Sequence, residues 1–122
     1  MNIKIPGLDV KKGLDLYDGD EEIYILVLKS FAKNIPASLS KLKNVSLDTL
    51  SSYQIGIHGI KGTSANIGAE NLRIQASELE ILAKTTDISS ITEKNDIFIK
   101  QAEDLINEIN SWLSKNAPDD DD

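Results

Sequence analysis

His58 is the only histidine in a chain of 122 residues that contains no cysteine. Lys61 stands three residues on and Gly62 follows it. In a helix this places a ring nitrogen, an ammonium and a bare backbone position within about one turn. A lone histidine in a helical protein is ordinarily a surface residue or a packed one, but its neighbours here point further. Gly56, Gly59 and Gly62 recur every third residue, and each costs a helix about 1 kcal/mol relative to alanine. Together they give up about 3 kcal/mol, a large share of what holds a small domain together, so something other than helix formation requires them. Gly62 in particular leaves the imidazole uncovered. An exposed imidazole, with an ordinary pKa of about 6.5, is mostly neutral at about pH 7 and carries a nucleophilic nitrogen. Phosphoryl transfer needs in-line placement and charge neutralisation and little else, and Lys61 can assist with the second. Acceptance of a phosphoryl group is therefore the chemistry this constellation suits.

Other chemistries are harder to build. Without cysteine there is no disulfide, thiolate zinc site or cysteine nucleophile, and a single histidine excludes a multi-histidine metal site; no metal site is expected. The glycines lack the spacing of a P-loop or a dinucleotide fingerprint, and no strand precedes them. Glu78, Glu80, Glu103, Asp104 and Glu108 are spread along helices and read as solvated faces. Aromatic residues make up 5% of the chain, too few for a base-stacking surface. The net charge is −7, and −3 (13 basic against 16 acidic) when the terminal Asp119 to Asp122 are set aside, a poor fit to DNA or anionic lipid. The longest apolar run, Ile23 to Leu28, is far too short to span a membrane. No basic-then-apolar leader is visible, so a cytoplasmic location is expected.

The elements that must position His58 follow from periodicity. Residues 1 to 7, ending in Pro6-Gly7, read as a lead-in or linker; 8 to 116 as one helical domain; 117 to 122 as a disordered acidic tail. Asp9 can cap a short helix reaching about Tyr17, weakened by Gly13. Asp20, Glu21 and Glu22 suit the start of a second helix, with Ile23, Val27, Phe31, Ile35, Leu39 and Leu42 inward and a kink at Pro36. Ser46 can cap a third, with Leu50, Tyr53, Ile57, Ile60, Ser64 and Ile67 buried and Gly68 as the left-handed residue at its end. A fourth begins near Ala69 and carries Leu72, Ala76, Leu79 and Ala83 on one face, with Ile74 and Ile81 on another. A fifth starts between Ile88 and Ile91, with Ser90 and Glu93 at capping-box spacing, and buries Phe98, Ala102, Leu105, Ile109 and Leu113. Short connections predict an all-α fold, an antiparallel up-down-up-down four-helix bundle with a short extra N-terminal helix.

On the third helix, at 100° per residue with His58 at zero, Gln54 lies at about −40°, Lys61 at about −60°, Gly62 at about +40° and Ala65 at about −20°. The apolar set centres on about −130°, so His58 points away from the core among small and polar neighbours.

The run His58-Gly59-Ile60-Lys61-Gly62-Thr63-Ser64-Ala65-Asn66-Ile67-Gly68-Ala69, with Leu72 and the Leu79-Glu80 pair downstream, resembles the signature of histidine-containing phosphotransfer (HPt) domains of multistep phosphorelays in two-component signal transduction. Ile5-Pro6-Gly7-Leu8-Asp9 and the Tyr24 to Phe31 stretch resemble the start of such domains, so the likeness covers roughly residues 5 to 115. It implies that His58 is the phospho-acceptor, through Nε2. It also implies that Lys61 assists electrostatically, that Gly62 clears space for a partner, and that Gln54 and Ala65 lie on the docking face. Gly59 departs from the family, which often has threonine or a larger residue there. Ile25, Leu28 and Ala32 of the preceding helix are expected to complete the docking surface. The resemblance implies a phosphocarrier without its own ATP-dependent kinase activity and with no cofactor of its own. Its partners would be response-regulator receiver domains, which bring the Mg²⁺, and possibly a hybrid sensor kinase in the same parent chain, with neither nucleic acid nor direct membrane contact. A helical interaction module that is never phosphorylated is the alternative.

Overall fold

The computed structural model describes residues 2–118, and among these it contains five helices and no strand. The acidic run Asp119 to Asp122 lies outside the described residues.

α1 (Val10–Asp15) is capped by Asp9, whose carboxylate accepts from the Lys12 amide. α2 (Glu21–Lys41) starts at Asp20, which accepts from the Ile23 amide, and runs as one helix past Pro36, an exposed position where the ring meets solvent. α3 (Leu50–Ala65) follows a turn closed reciprocally by Ser46 and Thr49. Ser46 therefore caps that turn rather than the helix itself. α4 (Glu70–Leu82) buries Leu72, Ala76 and Leu79. α5 (Ile88–Asn116) is capped by Asp87, which accepts from both the amide and the hydroxyl of Ser90. The pairing of Ser90 with Glu93 is replaced by this Asp87 cap. All of the apolar positions expected for α5 are buried.

α3 packs on α4 and α2, and α5 packs on α2 and α4, so one core runs among these four helices while α1 lies against α2. Ile3 and Ile5 are inside that core. These two residues of the lead-in thus belong to the folded body. No helix among the described residues is long and apolar enough to cross a membrane.

α2 buries Tyr24, Leu28, Phe31, Ala32, Ile35 and Leu39, while Ile23 is 44% exposed and Val27 half-buried. The expected stripe stepped back from Phe31 in fours, and each step of four rotates about 40° past a full turn. Two such steps carry Ile23 about 80° off the face, whereas alternating steps of three and four stay on it. The correction moves Leu28 (0% exposed) and Ala32 (8%) from the expected docking surface into the core; Ile25 is half-buried.

The end of α3 is held from several sides. Gly68, at φ +78°, lets its own amide and that of Ala69 turn back to the carbonyls of Ala65 and Ser64, the pair of hydrogen bonds that closes a helix through a left-handed residue. The Gly68 carbonyl accepts from the Asp9 amide at 2.8 Å. The phenols of Tyr17 and Tyr24 donate to the carbonyls of Asn66 and Ile67, each at 2.7 Å. Gly13, which weakens α1 as a helix, is where α1 meets this corner: a Cβ there would lie 2.6 Å from the Tyr24 ring and 2.7 Å from the Ile67 carbonyl oxygen. At the other end of α3, Tyr53 donates to Asn95 Oδ1 (2.7 Å) and Asn95 Nδ2 donates to the Leu42 carbonyl (2.9 Å). Both partners are buried, so this polar pair joins α3, α5 and the end of α2 inside the core.

Candidate functional site

With α3 fixed at both ends, its outer flank presents His58. The side chain is 68% exposed, and Ile57 and Ile60 on either side of it are buried. α4 lies alongside and brings Glu80 to the imidazole. One carboxylate oxygen of Glu80 pairs with His58 Nδ1, and the other accepts from Lys61 Nζ at 2.6 Å. These hydrogen bonds, from Lys61 first and His58 second, hold the Glu80 carboxyl below the usual carboxylate range. An ionised carboxylate can only accept, so the ring nitrogen facing it carries the proton. In a neutral ring this leaves the lone pair on Nε2, the nitrogen away from Glu80.

Glu80 is the residue that sequence reasoning misplaced. Its spacing along α4 reads as a solvated carboxylate, and the structure makes it the link between His58 and Lys61. Its companions keep the bland reading: Asp104 pairs with Lys100 at 2.8 Å, and Glu103 lies 3.8 Å from Lys43, on exposed surfaces. The one available signal was the Leu79-Glu80 pair. With Leu79 in the core, the next residue falls about 100° round the helix, on its shoulder toward a neighbouring helix.

The glycines divide by function. A Cβ at Gly56 would lie 2.8 Å from Leu42 Cδ2, so a larger residue there has to displace the buried Leu42 side chain. Cβ atoms at Gly59 and Gly62 would meet nothing within 4 Å. No packing contact among the described residues requires these two glycines, and both are exposed beside His58.

Gln54, expected on the docking face, is half-buried and donates to the Ala83 carbonyl at 2.7 Å, so its amide ties α3 to the end of α4. Ala65 is half-buried one turn past Lys61. Ser64 is fully buried and its hydroxyl has no hydrogen-bond partner among the described residues. An exposed apolar residue beside His58 comes from α3. Ile55 (77% exposed) shares with Gln54, His58, Glu80 and Lys84 the lining of one shallow depression, and Ile81 (64%) follows Glu80. No group of three or more histidine, aspartate or glutamate side chains suited to a metal ion occurs among the described residues.

The arrangement is an exposed imidazole with one nitrogen held by an ionised carboxylate, an ammonium on the same carboxylate, and bare backbone beside it. No family model, no curated protein and no solved structure matches the chain.

Proposed function

We propose that this chain is a phosphorelay intermediate: His58 takes a phosphoryl group from an aspartyl phosphate of a receiver domain and passes it to another receiver. The observation that carries this reading is His58 itself, its side chain largely open to solvent and its Nδ1 held by Glu80, which leaves Nε2 as the nucleophile. In the forward step the Nε2 lone pair forms an N–P bond while the P–O bond to the donor aspartate breaks, and that electron pair leaves on the aspartate carboxylate. The ring becomes positively charged as the bond forms, and its Nδ1 proton stays in the hydrogen bond to Glu80, whose negative charge is in place before the reaction begins. A carboxylate fixing the tautomer of an imidazole in this way is a recurring device in nucleophilic sites. Lys61 steadies Glu80, and Gly59 and Gly62 admit the partner's surface. The partner, not this chain, contributes Mg²⁺ and its acidic cluster; ATP-dependent autophosphorylation is no part of the proposal.

Two finer expectations belong to the same reading. The ring of contacts α2–α3–α4–α5 and the short connections between these helices favour the antiparallel up-down-up-down bundle with α1 as its extra helix. The absence of a membrane-crossing helix among the described residues accords with a cytoplasmic site of action.

The test is labelling by a phosphorylated receiver domain. Transfer onto the wild type and none onto His58→Ala is the expected result. Equal labelling of both would reject His58. Receiver binding with no transfer to the wild type would support the interaction module instead.

A further inference from the structure

Glu80 accepts from Lys61 as well as His58, so the ammonium of Lys61 is already matched by a negative charge in direct contact. A phosphoryl group on Nε2 would bring about two further negative charges to the edge of this balanced pair. The Glu80 carboxylate, held on the Nδ1 side of the ring, offers that charge no compensation. The depression needs a cation that is not already spent. Lys84 lines the same depression as His58, Glu80, Gln54 and Ile55. It is exposed and makes no ion pair with any described residue. Its backbone is fixed: it follows the residue whose carbonyl Gln54 holds, and its amide donates to the Ile81 carbonyl at 3.1 Å. The ammonium thus swings from an anchored root on the α4 wall of the depression.

We infer that Lys84 is the phosphoryl-binding cation of this site, contacting the non-bridging oxygens of a phosphoryl group held on His58 Nε2, while Lys61 acts by positioning Glu80. The inference rests on the reading of His58 as acceptor. Lys84 neither gives nor takes a proton in the step; its effect is charge neutralisation as the N–P bond forms, and again in the phosphohistidine.

The experiment uses the full chain and phosphoramidate, a small donor that carries its own leaving group. Its P–N bond breaks as the N–P bond to Nε2 forms, and ammonia departs with the electron pair. The rate of phosphohistidine formation and its half-life near neutral pH are followed by intact mass and ³¹P NMR, with thermal unfolding recorded in parallel. The variants are His58→Ala, Lys84→Gln, Lys84→Arg and, as a distant control from an exposed ion pair, Lys100→Gln. Lys84→Gln is expected to lower the rate about tenfold with the melting temperature little changed. Lys84→Arg is expected to restore most of the rate and Lys100→Gln to match the wild type. If the wild type labels at His58 but Lys84→Gln labels and decays at wild-type rates, Lys84 is excluded and the acceptor reading stands. If the wild type takes no label at His58, both fall together.

Discussion

Glu80 holds His58 with one oxygen and Lys61 with the other, so exchange of that carboxylate for an amide of the same size tests orientation without emptying the site. Under the proposed function, Glu80→Gln is expected to slow phosphoryl acceptance by about tenfold, the scale of one lost charge-assisted hydrogen bond. Thermal unfolding should move little. Initial labelling rates with a phosphorylated receiver decide it, and a variant as fast as the wild type would remove Glu80 from the chemistry. His58, Lys61 and Gly62 were legible in the sequence because all three sit on one helix, where spacing alone fixes their relation. Glu80 was not, because it lies 22 residues from His58 on another helix. Its approach depends on how α4 rolls against α3, and a wheel drawn for either helix alone does not contain that rotation. Lys84 was hidden for the same reason. Asn95 was hidden for another: a single asparagine in an apolar stripe reads as an interruption until its two buried partners, Tyr53 and the Leu42 carbonyl, are seen.

Among the elements, α5 shows the face its periodicity predicts, and of the two apolar faces on α4 the fuller one, with Leu72, Ala76, Leu79 and Ala83, is buried while Ile74 and Ile81 stay exposed. α2 is apolar on more than one side, with Ile23, Leu26 and Val27 at or near the surface, so periodicity alone left two stripes available and Tyr24 with Leu28 took the core. α3 is the element whose sequence works against its own conformation. A Cβ at Gly59 or Gly62 would meet no described residue, so alanine at either position is expected to raise unfolding stability by about 1 kcal/mol through helix propensity alone. Gly56→Ala, whose Cβ would press on Leu42, should gain less or lose stability. Denaturant melts of the three single variants make the comparison. Relative to the wild type, the same two stabilised variants should be slowed more in accepting phosphoryl from a receiver than from phosphoramidate, because only the larger donor needs the bare surface. Equal slowing with both donors would remove the glycines from partner access.

For the molecule as a whole, the all-helical class and the five helices were legible from periodicity and capping residues, while the attachment of the chain's beginning was not. Ile3 and Ile5 occur in a stretch too short for a period to show, and only the assembled helices supply a place for them. The same beginning carries a polar clasp. Lys12 of α1 and Arg73 of α4 both bind Glu70, and those hydrogen bonds, Arg73 first, hold its carboxyl down to about 2 against an ordinary 4.5. A lowered folded pKa gives stability that is complete above about 4.5 and is lost as the pH falls through about 2. The wild type is therefore expected to be the more stable of wild type and Glu70→Gln near neutral pH, with the gap closing across that acid range and shrinking with added salt, since the clasp is at the surface. A gap independent of pH would show that the clasp contributes nothing through its charge.

The corner where Tyr17 reaches the Asn66 carbonyl has a consequence in time. Its partners are 49 residues apart in sequence, and its acceptor exists only after α3 has turned into α4. Closing so long a loop before its far side is built brings entropy loss without reward, so this seam is expected to be the last to knit. Loss of the hydroxyl in Tyr17→Phe should then quicken unfolding and leave the refolding rate where it was, and a slowed refolding limb in stopped-flow traces would mean that the seam forms early.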